Sequence, residues 1–297
     1  MKLLIAVDSA ISTEVLVGAV GVRPWPDGTK AHVLSVVADA DVPEEVWREE
    51  GYGKGAVRRE MERRGEQITA LAVERLKEVG IPAEVVVTRG DPRQLIPFFA
   101  RKWSSDLIFV RAHVRNDLAH WMLGSVARSV VTSAPCSVQI VRTQPEDQSQ
   151  HTLSSARKVL LATDGSETSM AATHALADRP WPEGSKFRIV CVEEPWALAD
   201  SKVRNNEQGQ AAVSSAERVL SAARLEATTA VLSGNTRDVI LEEAKKWAAD
   251  LIVVGSHGRR GFKRFLLGSV SEAVAMNAHC SVVVVRDRAL SSRKARA

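Results

Sequence analysis

The sequence predicts an α/β protein made of two tandem copies of one domain, each a five-stranded parallel sheet with helices on its faces. Three observations predict it. Short apolar runs alternate with helical patterns along the whole chain, the signature of strand–helix units in a parallel sheet. The chain also repeats itself. Pro24–Lys30 (PWPDGTK) recurs as Pro180–Lys186 (PWPEGSK), an offset of 156, and Asp8 recurs as Asp164. Trp103-Ser-Ser-Asp106 recurs as Trp247-Ala-Ala-Asp250, and Leu123-Gly124-Ser125-Val126 as Leu267-Gly268-Ser269-Val270, both at an offset of 144. The first copy is therefore longer by 12 residues around Val42–Gly65, between its second and third strands. Finally, 297 residues suit two domains of ordinary size.

The elements follow in order. The start, MKLLIAVDSA, is a short apolar run cut by Asp8, with no cleavage-like segment after it, so Lys2–Val7 reads as a first strand and not a signal peptide. Further strands are expected at Ala31–Val37, Ala83–Thr88, Leu107–Val110 and Ser137–Val141. Helical patterns fall near Ser12–Val20, Ala56–Val79, Pro92–Trp103 and Gly124–Ser133. Val42–Gly55 contains Pro43, Gly51, Gly53 and Gly55 and reads as a loop. The polar, aperiodic stretch 143–156 holds the linker, taken as 146–155 between domains 1–145 and 156–286. In the second copy, strands are expected at Lys158–Thr163, Lys186–Val192, Thr228–Ser233, Leu251–Gly255 and Ser281–Arg286. Its helices fall near Thr168–Asp178, Asn206–Leu225, Thr236–Ala248 and Gly268–Asn277, with a basic tail at 287–297.

The net charge is +4, and the tail alone supplies +3 of it. Neither half is basic enough to suggest a nucleic-acid partner. No apolar run approaches the ~20 residues that would span a membrane. Cys136, Cys191 and Cys280 are widely separated and lie in apolar runs, which fits buried thiols in a reducing cytoplasm.

The stretch Leu251–Ser271, LIVVGSHGRRGFKRFLLGSVS, carries the chemistry. A β-forming run stops at Gly255, Gly258 follows, and Gly268-Ser269 opens a helix. Strand, glycine loop and helix N-terminus together make an anion site, because glycines let backbone N–H groups approach and the helix end is electropositive. Ser269, Val270 and Ser271 offer N–H groups there. The spacing Gly255-x2-Gly258-x9-Gly268-Ser269 resembles the ATP-binding signature of the universal stress protein family, and the resemblance covers 1–145 and 156–286. It implies an adenine nucleotide alpha-hydrolase-like (Rossmann-like) fold, an adenine nucleotide ligand, ATP with Mg2+, and a cytoplasmic stress-response role.

The resemblance also implies that Ala162, Asp164 and Val192 border the adenine, at the carboxyl ends of the first two strands. Asp164 equally suits a turn or helix cap, and both roles can coexist. The basic residues Arg259, Arg260, Lys263 and Arg264 could screen a triphosphate but read as a solvated loop, and His257, between the glycines, could be a ligand contact or a base but reads as neither. His279-Cys280 reads as core, since a metal site needs three or four ligands. Family members dimerise through the last strand. Ser137–Val141 and Ser281–Val285 are nearly all apolar, so the two copies are expected to pair as an intramolecular pseudo-dimer, with room for a homodimer.

The first copy departs from the motif. Arg111 stands at the Gly255 position and Val114 at the Gly258 position, so side chains replace two of the three glycines. The expectation is a first copy that has lost nucleotide binding, or binds something smaller, and serves as the partner of the second. No Walker P-loop and no Ser-Gly-Gly-x-Asp-Ser turn occur in the chain. The reading is a nucleotide-binding regulatory module, the alternative a slow ATPase or a phosphoryl- or adenylyl-transferring enzyme.

Overall fold

The computed structural model describes residues 1–22, 24–38, 54–112, 123–142, 157–194, 202–258 and 267–287. The first half runs β1 (Lys2–Val7), α1 (Ala10–Gly21), β2 (Lys30–Val37), α2 (Lys54–Glu78), β3 (Ala83–Arg89), α3 (Pro92–Lys102), β4 (Leu107–Arg111), α4 (Ser125–Ser133) and β5 (Ser137–Val141). The second half repeats it: β6 (Lys158–Ala162), α5 (Glu167–Ala177), β7 (Lys186–Glu193), α6 (Lys202–Ala222), β8 (Ala227–Ser233), α7 (Thr236–Lys246), β9 (Leu251–Gly255), α8 (Ser269–Asn277) and β10 (Ser281–Val285). The expected linker, most of the basic tail and most of the Val42–Gly55 loop lie outside the described residues. Helix α2 takes in Lys54 and Gly55, and α6 starts four residues before the expected Asn206.

The strands form one ten-stranded sheet, in the order β3-β2-β1-β4-β5-β10-β9-β6-β7-β8. Every pairing within a half is parallel. The seam between halves is antiparallel: Val282 faces Ile140, Val283 faces Gln139 and Val284 faces Val138. Each last strand therefore serves as the missing neighbour of the other, which removes two apolar edges at once.

Side-chain alternation gives the sheet two unlike faces. On one, Val138 and Ile140 of β5 join Val282 and Val284 of β10 in a single core, packed under α3, α4, α7 and α8. On the other, the cores are separate. Leu3, Ile5 and Phe109 lie under α1 and α2, while Leu161, Ile189 and Val253 lie under α5 and α6. The repeated tryptophans close the same corner in each half. Trp25 donates its indole N–H to the Val20 carbonyl (2.8 Å), and Trp181 to that of Leu176 (2.9 Å).

Two arginines lock the seam reciprocally. Arg142, just past β5, donates to the carbonyls of Ala275 (2.5 Å) in α8 and Cys280 (3.2 Å). Arg286, just past β10, donates to those of Val131 (2.9 Å) and Thr132 (2.8 Å) in α4. Each cation thus satisfies carbonyls at the C-terminal end of the other half's last helix, where the dipole favours positive charge. Burial pushes the Arg142 guanidinium down to about 10. Its carbonyl partners offset that cost, and the charge persists at neutral pH. By contrast, Arg128 and Glu272 pair across α4 and α8 at 3.0 Å with side chains 59% and 37% exposed.

Arg142→Ala is expected to destabilise the protein by about 2–4 kcal/mol, because it orphans buried carbonyls. Arg128→Ala should cost no more than about 0.5 kcal/mol. Urea unfolding of the two variants side by side measures the difference, and equal effects would contradict the seam-locking role.

Candidate functional site

The chain visits β6, β7 and β8 on one side and returns to β9 on the other. The connections after β6 and β9 therefore diverge, and a crevice opens at the carboxyl ends of the strands, the usual ligand position in open α/β sheets. The crevice here has a volume of about 530 Å3. Ala162, Asp164, Val192, Gly255, Gly258, Gly268, Ser269, Val270 and Ser271 all line it.

Hydrogen bonds fix the loop between β9 and α8 at both ends. The Ser271 hydroxyl, buried, donates to the Gly255 carbonyl (2.6 Å). The Gly268 N–H donates to the Ser256 carbonyl (2.8 Å), and the Ser256 N–H to that of Val285 (2.9 Å). Thr168, in the first turn of α5, donates its hydroxyl to the His257 carbonyl. Ser271 therefore spends its hydroxyl proton inside the protein, leaving Ser269, which is exposed, as the hydroxyl facing outward. Helix α8 has Gly268 at its N-cap, so the N-cap residue itself offers no side chain to its first-turn N–H groups.

The glycines do more than admit an anion. A Cβ on Gly255 would meet the Thr168 carbonyl carbon and oxygen at 2.8 Å and the Ser169 nitrogen at 2.9 Å. Gly255 is therefore the point where α5 crosses the end of β9. Among the described residues, a Cβ on Gly258 would meet only the Asp164 carboxylate, its oxygen at 2.9 Å. Asp164 sits between the glycine loop and α5. Its Oδ1 accepts from the Ser166 N–H (3.0 Å) while Ser166, not Asp164, is the helix N-cap. The strand expected to end at Thr163 ends one residue earlier. The Thr163 hydroxyl donates to Ser169 Oγ (3.1 Å) and accepts from the Gly165 N–H (3.2 Å), turning the chain into the helix. Gly165 takes φ 75, a conformation glycine adopts without strain.

At the opposite end the cleft is apolar, then acidic. Val190, Val192, Ile240 and Val254 form the wall, and Glu193 and Glu194 stand at the end of β7. Glu194 Oε1 accepts from the Thr236 hydroxyl (2.9 Å). These carboxylates, Thr168 and Thr236 were missed in the sequence. The available signal was Glu193-Glu194 directly after an apolar strand, where the first copy has Val37-Ala38. Arg259, Arg260, Lys263 and Arg264 lie outside the described residues. His257 Nδ1 lies 3.0 Å from Ser256 Oγ. His279 and Cys280 sit near the seam: burial pushes His279 down and the Cys280 thiol up to about 12, so that thiol stays protonated. None of the three cysteines forms a disulfide, and all are buried.

The first half differs at matching positions. Arg111 pairs with Val141 in β5 as Gly255 pairs with Val285 in β10, which confirms the correspondence. Val114 lies outside the described residues. The turn between β1 and α1 has two residues, 8–9, where that between β6 and α5 has four, 163–166. Ser9, which stands at the Gly165 position in the repeat, caps α1 immediately after Asp8 and donates to its Oδ1 (2.9 Å).

Fold and site define a tandem α/β protein with a crevice whose glycine loop and helix N-terminus suit an anionic ligand. The chain belongs to the universal stress protein family, whose family model matches residues 1–142 and again 155–286. A universal stress protein of Methanocaldococcus jannaschii is 35% identical over 141 residues, 44% of this chain and 82% of that protein. One from Mycobacterium tuberculosis is 30% identical over 244 residues, 75% of this chain and 77% of that protein. A crystal structure of a universal stress protein from Archaeoglobus fulgidus superposes with a TM-score of 0.69 at 20% identity, covering 97% of this chain and 98% of that one. That likeness supports the fold.

Gly255→Ala forces a methyl into helix backbone and is expected to cost about 1–3 kcal/mol of stability. Gly258→Ala meets only a side chain that can swing away, so its melting temperature should stay close to the parent's. Thermal melting of both separates the packing glycine from the ligand-side glycine.

Proposed function

We propose that the second half binds an adenine nucleotide, ATP with Mg2+, at one site per chain, and that the protein is a cytoplasmic, nucleotide-dependent regulatory module. The supporting observation is the N-terminus of α8. Ser269, Val270 and Ser271 present N–H groups that Gly268 has no side chain to cap, at the mouth of a crevice whose far wall is apolar. Phosphate oxygens suit the first feature and a flat base the second. Ala162 and Val192 then flank the base, while Gly258 and Gly268 allow the loop backbone to approach the phosphates. Asp164 serves as both turn former and ligand neighbour.

Magnesium would arrive on the triphosphate. Among the described residues no three His, Cys, Asp or Glu side chains are grouped to hold a metal. Phosphate oxygens and water would supply most of its ligands. Domains 1–145 and 156–286 then divide the work: the second binds, and the first completes the sheet. Regulation follows if ATP favours one conformation or partner complex over another.

The test is to denature freshly purified protein, identify any released nucleotide by chromatography, and titrate the emptied protein with Mg-ATP. One nucleotide per chain is expected. Two equal sites, or none, would refute the assignment, and a growing ADP share would indicate turnover. Ser269→Asp provides a sharper variant. A carboxylate in the first turn suits the helix dipole and should preserve stability, yet it repels phosphate. Affinity for Mg-ATP should fall by more than about tenfold, read by calorimetry alongside a melting curve.

A further inference from the structure

The repeat offset of 144 residues relates the two sides of the seam, so the pseudo-two-fold axis between the halves can be located residue by residue. A residue on that axis meets the residue 144 positions away. In the sheet these are Gln139 and Val283, which face each other, with Ile140–Val282 and Val138–Val284 placed symmetrically about them. In the helix layer they are Arg128 of α4 and Glu272 of α8, paired Nη2 to Oε1 at 3.0 Å.

Most of the seam does not distinguish one half from the other. Arg142 and Arg286 hold corresponding carbonyls of the opposite last helix, those of Ala275 and Val131. The Ser281 hydroxyl oxygen accepts from the Arg142 N–H (3.1 Å), as Ser137 accepts from the Arg286 N–H (3.2 Å). The strands SVQIV and SVVVV are both apolar enough to pair with their own kind. By these elements alone, two chains could join first half to first half and second half to second half. A true two-fold axis would then set every axial residue against its own copy. Gln139 against Gln139 or Val283 against Val283 is tolerable. Arg128 against Arg128 and Glu272 against Glu272 are not.

These are the single charged side chains of α4 and α8. Glu272 suits the first turn of its helix. Arg128 stands in the first turn of α4, where the dipole disfavours a cation, and the charge across the seam favours it.

We infer that Arg128 and Glu272 make the seam heterotypic: the last-strand face of each half accepts the unlike half and rejects its own kind. The device gives specificity more than strength. The pair is solvated, with side chains 59% and 37% exposed, so its net attraction is small. Discrimination is larger, because a like-for-like exchange between two chains removes two attractive pairs and creates two repulsive ones. The assembly of two copies that stays open through this face is a swap of unlike halves, which keeps both pairs.

The test uses the full chain in four forms: the parent, Arg128→Glu, Glu272→Arg, and both exchanges together. Urea unfolding of the four gives the coupling between the positions, and the cycle cancels what each substitution does to its own helix. The coupling is expected to reach at least about fivefold in the unfolding constant at low salt and to shrink at high salt. Arg128→Ala and Glu272→Ala repeat the cycle with the same sign if a reversal is not tolerated. Additive effects overturn the inference. Partner choice is read separately. Arg128→Glu and Glu272→Arg chains, unfolded and refolded as an equal mixture, relieve their like charges by swapping halves with each other. Light scattering should then find a two-chain species at least about fivefold more abundant than when either is refolded alone. Equal two-chain fractions in the mixture and the separate samples overturn the selection of partners, whatever the coupling.

Discussion

The antiparallel pairing of β5 with β10 is the constraint on which the rest depends. Five parallel strands leave each half with an almost wholly apolar last strand, SVQIV in one and SVVVV in the other. Backbone groups on such an edge need a partner, and the hydrocarbon on it needs cover. Pairing within one chain meets both needs at the high effective concentration that a linker provides. The seam then fixes the disposition of everything else. One face of the sheet becomes a core continuous across both halves, and the helices beside the seam, α4 and α8, meet over it. Because the join is antiparallel, the carboxyl ends of β1–β5 and β6–β10 point to opposite edges of the sheet. The crevice of the second half therefore opens away from the carboxyl ends of β1–β5, and its described lining comes wholly from residues 162–271.

This separation explains how one half can keep a glycine loop while the other loses it without disturbing the fold. Arg111 occupies the end of β4 in the same register that Gly255 occupies in β9. The substitution is compatible with the strand, because the β4–β5 ladder is backbone chemistry. It is incompatible with a close helix crossing of the kind Gly255 allows α5. The turn after β1 differs too, two residues shorter and capped by Ser9 in place of the Gly165-Ser166 turn. In that turn Asp8 accepts from its neighbour Ser9, as Asp164 accepts from Ser166 in the second half.

Much of this was legible in the sequence. Strand positions follow from apolar runs, and the tandem organisation follows from the repeated PWP corner and Leu-Gly-Ser-Val motif. The crevice gathers Gly255, Gly258, Gly268 and the Ser269–Ser271 helix start, because a strand–loop–helix unit is local and carries its geometry in the spacing. What stayed hidden depends on contacts between segments far apart in sequence. That Gly255 accommodates Thr168, 87 residues before it, cannot be read from either segment. Nor can the span by which Arg142 reaches Ala275, or the way Gly209 makes room for Glu193. A charged residue at the end of a strand reads as a solvated terminus until the helix packed against it is known.

Helix α8 joins the two levels of organisation. Its first turn supplies the N–H groups at the mouth of the crevice, and its last turn accepts the buried guanidinium of Arg142 from the other half. In nine residues the electropositive end faces the place for an anion while the electronegative end is neutralised across the seam. The Ser271 hydroxyl fastens the same helix to the end of β9. An anion drawing on the N–H groups of α8 therefore pulls on an element that is also part of the interface between halves. The first half has no intact motif, but through β5 and Arg142 it holds one end of the helix that forms the second half's site. Among the described residues, its contribution to that site runs through this helix and not through the lining of the crevice.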